Sequence, residues 1–191
     1  METSGDDEAP APAPLAPREP RVRSADRASA WRTEMSKGQV KPVPDGYHSI
    51  TPYLIVDGGA KAIDFYKRVF GATERMRMPG PGGKVGHAEL GIGDSTIMLA
   101  DEHPEMGARA PGAFGGAAVS LHLYVEDVDA TVKAAVGAGA KLLRPVENKF
   151  YGDRMGTIED PFGHHWHVST HVEDVPHDEL ARRAAAMAKP G

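Results

Sequence analysis

The sequence predicts an α+β fold of two consecutive βαβββ modules followed by a C-terminal helix, and three observations carry that prediction. TPYLIV at Thr51 to Val56 and SLHLYV at Ser120 to Val125 are both short runs rich in branched and aromatic residues. Each is followed at once by an acidic residue and a helical stretch, and both helices close on Gly-Ala, at Gly71-Ala72 and Gly139-Ala140. Three further candidate strands then follow in each half, so the element order is stated twice, and a repeat outweighs any local assignment.

In the first half Asp57-Gly58-Gly59 breaks the opening strand. AKAIDFYKRVFG then sets Ile63, Tyr66, Val69 and Phe70 on one helical face, with Gly71 placed as a C-cap glycine. TERMRM, VGHAELGIG and STIMLAD read as strands, the last two joined by Gly93-Asp94. PGPGGK, from Pro79 to Lys84, has a superficial likeness to a phosphate loop, but it lacks the strand-loop-helix setting and the Ser or Thr after Lys, and reads as a hairpin turn. HPEMGARAPGAFGGAA is a loop between the halves. In the second half Asp127 is placed as the N-cap of VDATVKAAVGAG, and KLLRPV, RMGTIED and HHWHVSTH are strands. HDELARRAAAMA forms a last amphipathic helix within residues 176–191, a brace or a dimer contact.

Ahead of this pattern, residues 1–44 are Pro/Ala-rich and then charged, with too few apolar side chains to offset the entropy of ordering, and read as a disordered tail. Trp31 there is incidental, and Met35 is an alternative start. The folded part is expected over 45–175, with module one at 50–101 and module two at 119–171. The chain of 191 residues suits one domain and has no cysteine, which excludes a disulfide framework and a thiol nucleophile. A formal net charge of -5 and no dense run of Lys and Arg argue against nucleic acid as a partner. No apolar run approaches a bilayer-spanning length and METSGDDEAP is acidic, so the expectation is a soluble cytoplasmic protein with no membrane partner.

Two βαβββ modules, with AIDFYKRVFGA in the first and EDPFGHHWHV closing the second, resemble the vicinal oxygen chelate (VOC) superfamily. That superfamily includes glyoxalase I, extradiol dioxygenases, methylmalonyl-CoA epimerase and the bleomycin-resistance proteins. GHAELGIGDSTIMLADE, DPFGHHW and THVEDV most resemble its small PhnB-like members, and the resemblance covers Tyr47 to Val175. It implies strands curved into an eight-stranded cup with the helices outside. It also implies a homodimer with modules paired across chains, an exchange that GARAPGAFGGAA is long enough to permit.

Strand alternation then says which side chains enter that cup. It sends Leu121, Leu123 and Val125 to the helix and Ser120, His122 and Tyr124 inward; likewise it turns Thr51, Tyr53, Ile55, His87, Glu89, Thr96, Met98, His165, His167 and Ser169 inward. Tyr53, His87, Met98, Ser120, His122, Tyr124, His165 and His167 are the candidate ligand-binding residues. Glu89 and His122 are the candidate catalytic groups, Glu89 either as a base with a raised pKa or as a carboxylate paired with Arg75, Arg77 or Arg154. His164 reads as exposed or as a loop hydrogen-bonder, and His171 as a solvated strand end.

The resemblance to glyoxalase I implies a divalent metal held from the first and last strands of each module. Those positions fall here on Thr51, Met98, Ser120 and His167, of which only His167 is a competent ligand. An off-pattern metal set would be His87, Glu89, His122 and His167, and the cofactor question stays open between none and a divalent metal. The first functional expectation is therefore a protein that binds a small molecule in a His/Tyr-lined cup. The alternative is a metal-dependent lyase, epimerase or dioxygenase using a non-standard His/Glu site. A purely structural role is disfavoured, because inward polar groups are costly to bury unsatisfied.

Overall fold

The computed structural model describes residues 40–187, so almost all of the expected tail, with Trp31 and Met35, lies outside the described residues. Val43–Gly191 forms one compact unit, which holds every element of the fold. The predicted order occurs twice: β1 (Tyr53–Val56), α1 (Gly59–Phe70), β2 (Thr73–Pro79), β3 (Val85–Ile92) and β4 (Ser95–Asp101), then β5 (Ser120–Tyr124), α2 (Val128–Gly137), β6 (Lys141–Asn148), β7 (Asp153–Glu159) and β8 (His165–His171). α3 (His177–Met187) closes the described chain. The eight strands form two four-stranded sheets, ordered β1-β4-β3-β2 and β5-β8-β7-β6, and no closed barrel. In each, the first strand runs parallel to the last, as a helical crossover allows, and the other neighbours are antiparallel.

Each helix is tied to its sheet by a side chain from the last strand of its own module. Asp101 accepts from the N–H groups of Gly58 (2.9 Å) and Gly59 (2.7 Å), satisfying donors at the start of α1, and from Val85 N–H (2.7 Å) at the start of β3. Burial pushes the Asp101 carboxyl up, but those three donors outweigh it and leave its pKa below the usual value. A Cβ on Gly59 would come within 2.8 Å of Val85 and 2.9 Å of Asp101, so only glycine fits the close approach. In the second module Thr170 takes this place, accepting from Val128 N–H (2.9 Å) and donating to Val125 C=O (3.0 Å). Asp127 caps α2 as expected, through Ala130 N–H at 2.9 Å.

One hydrophobic core serves both modules. Tyr66 and Phe70 of α1 meet Trp166 of β8 with ring centroids 5.6 and 4.7 Å apart, and Phe162 joins Phe65 and Tyr66 at 6.2 Å from each. Asp160, 2% exposed, sits at this junction and accepts from Tyr66 Oη (2.7 Å), Trp166 Nε1, Phe162 N and His164 N (each 2.9 Å). DPFG is thus more than a turn: its carboxylate builds the turn and joins the second module to the helix of the first. At the C-terminus Arg183 binds Glu173, Glu179 and the Phe150 carbonyl, which makes α3 a brace on the second module.

Candidate functional site

The sequence-predicted site residues lie on the sheet faces turned away from the helices, four of them on the first sheet and five on the second. On the first sheet Tyr53, Met98, Glu89 and Met76 form one cross-strand row. Tyr53 Oη lies 2.9 Å from His87 Nδ1, and His87 Nε2 lies 3.3 Å from Glu89 Oε1. The other carboxylate oxygen of Glu89 accepts a hydrogen bond from Tyr47, which arrives from the segment preceding β1. Gly46 anchors that segment, its carbonyl accepting from Arg75 Nη1 (3.1 Å) and Thr96 Oγ1 (3.0 Å).

This corrects the expectation of a raised Glu89 pKa. The Tyr47 hydrogen bond, aided by His87 and the charge of Arg75, outweighs burial and holds Glu89 below the usual carboxylate range. Two of the arginines expected beside it are engaged elsewhere, Arg77 with Glu74 at 2.8 Å and Arg154 with Asp129 at 2.6 Å. Sequence reasoning misses Tyr47 because it precedes the first strand, where alternation has nothing to say.

On the second sheet His122 faces His167 across β5 and β8, with ring centroids 6.1 Å apart, and His122 stands 4.8 Å from Tyr124. Ser120 faces His165 instead, and His165 Nε2 lies 3.3 Å from Glu159 Oε2. His167 Nδ1 lies 3.0 Å from Thr157 Oγ1. Burial lowers the His167 pKa, with His122, Arg144 and His165 acting in the same direction, so its neutral form is favoured. Tyr124 is 60% exposed, and its hydroxyl donates to Asp153 Oδ2 at 2.9 Å. Beside it in register, Ser169 is fully buried and its Oγ has no partner among the described residues.

His171 is the exposed end of β8, as expected, and it also bridges Asp153 (2.8 Å) and Asp174 (3.0 Å), whose carboxylates raise its pKa. His164 is a loop hydrogen-bonder, 3.0 Å from the Ile55 carbonyl of the first module. Thr157 and Asp153 belong to no motif in the sequence, although carrying alternation along RMGTIED, with Ile158 toward the core, would have turned Thr157 to the same face as His167.

The divalent metal implied by the resemblance does not fit these donors. Met98 faces Tyr53 rather than Thr51, and His167 faces His122 rather than Ser120, so two of the four positions carry competent imidazoles while the phenol and thioether complete the set poorly. The off-pattern set is divided, His87 and Glu89 on one sheet and His122 and His167 on the other. Among the described residues no three His, Cys, Asp or Glu gather as a metal would require. Among those residues, too, no helix is long and apolar enough to cross a membrane.

Paired βαβββ modules, each with a polar sheet face opposite its helix, define an α+β protein of the VOC type. The chain belongs to the Glyoxalase/Bleomycin resistance protein/Dioxygenase superfamily, whose model matches residues 46–168. It is 44% identical over 146 residues to Uncharacterized protein Mb0911c of Mycobacterium bovis, covering 75% of this chain and 94% of that one. Protein PA1353 from Pseudomonas aeruginosa shares the fold at a TM-score of 0.53 and 25% identity, over 66% of this chain and 99% of that one. A PhnB protein from Bacillus cereus, described as a putative 3-demethylubiquinone-9 3-methyltransferase, matches with a TM-score of 0.51 over 64% of this chain and 99% of its own; at 20% identity it speaks for the fold alone.

Proposed function

We propose that the protein binds a small, flat organic molecule on the second sheet, against the ledge formed by Tyr124, His122 and His167. The observation that carries this reading is the run of three rings along one face, 4.8 and 6.1 Å apart, with Tyr124 largely exposed. Aromatic faces reward stacking, and the fixed edges around them supply orientation: Thr157 holds His167 and Asp153 holds Tyr124. Ser120 and His165 form the rim. A homodimer belongs to the same reading, with the Tyr53, His87 and Met98 face of a second copy closing the ledge from the other side.

The test is a thermal-shift screen of planar heteroaromatic compounds on the full chain, followed by calorimetry on the hits. Tyr124→Ala and His122→Ala are each expected to weaken a hit by about ten-fold or more, with affinity unchanged by a chelator. A hit that binds both variants as it binds the wild type overturns the proposal, as does a screen without hits.

A further inference from the structure

A second cavity lies apart from the ledge, along the outer edge of β1. Its volume is about 380 Å³, within the range of small-molecule sites, and Tyr53, Ile55, Arg109, Phe114, Val119 and His164 are among its walls. Phe114 is 70% and Val119 73% exposed, so two large apolar side chains stand in solvent at its mouth. Arg109 is the only Lys or Arg in the wall, and it has no hydrogen bond or ion pair among the described residues.

The backbone adds donors of the same sign. β1 pairs only with β4, and Pro52 C=O and Val56 C=O are the groups that turn toward it, accepting from Met98 N–H (2.8 Å) and Glu102 N–H (3.0 Å). Alternation therefore sends the amides of Tyr53 and Ile55 to the unpaired edge, where His164 Nε2 already occupies the Ile55 carbonyl. What remains along this wall is two N–H groups, the Tyr53 carbonyl, a guanidinium and apolar surface.

We infer that this cavity is a binding site for a hydrophobic carboxylic acid, its aryl or alkyl body lying against Phe114 and Val119 and its carboxylate taken by Arg109 and the free edge amides of β1. A carboxylate matches a guanidinium's fork of donors, and the apolar walls exclude ligands that are charged throughout. The site goes beyond the ledge proposed above, whose Tyr124, His122 and His167 are not in its wall; only Tyr53, on the face that would close the ledge from a second copy, borders both.

Calorimetry on the full chain with 4-phenylbutyrate and with 4-phenylbutanol tests it. The acid is expected to bind about ten-fold or more tightly than the alcohol. Arg109→Gln should abolish that preference while leaving the alcohol's affinity in place, and Arg109→Lys should restore part of it. Tyr124→Ala should leave the acid's affinity unchanged, which separates this site from the ledge. Equal binding of acid and alcohol, a preference that survives Arg109→Gln, loss of the acid in Tyr124→Ala, or no binding at all overturns the inference. A thermal melt of Arg109→Gln matching the wild type shows that the variant is folded.

Discussion

On the first sheet Glu89 occupies the position that Thr157 holds on the second, and the facing pair Tyr53–Met98 stands where the second sheet has His122–His167. The first face closes on itself: Tyr47 and His87 take the Glu89 carboxylate, and Tyr53 takes His87. On the second face His122 makes no hydrogen bond among the described residues and Tyr124 stays exposed. Repetition of one βαβββ plan thus fixes where side chains point but not whether their polar groups are already spent. A face whose acceptors are satisfied within the chain has little left to offer a ligand.

The strongest way to break the comparison is to remove what the two halves share. Asp160→Ala deletes one buried carboxylate and strands the Tyr66 hydroxyl, the Trp166 indole N–H and two backbone N–H groups. Leaving such donors unpaired in a core costs about 3–5 kcal/mol in total, and urea unfolding should show it as a large fall in midpoint at unchanged slope. A loss below about 1 kcal/mol would mean that the junction tolerates the change, and that the halves are less dependent on each other than their common core implies.

A smaller contrast separates the two helix anchors. Asp101 serves three N–H groups with a charge, whereas Thr170 serves one with a neutral hydroxyl. Asp101→Ala is expected to cost about 2–3 kcal/mol and Thr170→Val about 1 kcal/mol, measured by the same denaturation. The reverse order would show that the last strand of the first module does not set the start of α1.

Much of the fold was legible because it rests on local signals: branched runs, a helix with Ile63, Tyr66, Val69 and Phe70 on one face, and the Asp127 cap were all in place. Alternation also put His87, Glu89, His122, His165 and His167 on the correct faces, since a strand period of two leaves only one choice once the core face is known. It failed where contacts cross long stretches of chain. Tyr47 meets Glu89 forty-two residues on, and Tyr66 meets Asp160 ninety-four residues on. No periodicity encodes such pairs. The strand order within each module was hidden for the same reason, because edge strands such as β1 and β5 carry no mark of which neighbour they lack.

The finest distinction is between two histidines on the same strand whose titrations oppose each other. The Asp153 and Asp174 carboxylates raise the pKa of His171, so the folded state holds this proton more tightly than the unfolded chain does. Its contribution is present in full below the ordinary histidine value of about 6.5 and is lost as pH rises through the raised value. Burial lowers the pKa of His167, so the folded state resists that proton, and stability is lost as pH falls from about 6.5 toward the lowered value. His171→Gln should therefore be less stable than the wild type at about pH 5.5, with the gap narrowing toward about pH 9. His167→Gln should gain on the wild type as the solution is made acidic, because it has no imidazole to protonate. Melting curves of both variants across that range decide the matter: parallel pH profiles would place the two imidazoles in equivalent surroundings and undo the contrast between the carboxylate-paired His171 and the buried His167 of the ledge.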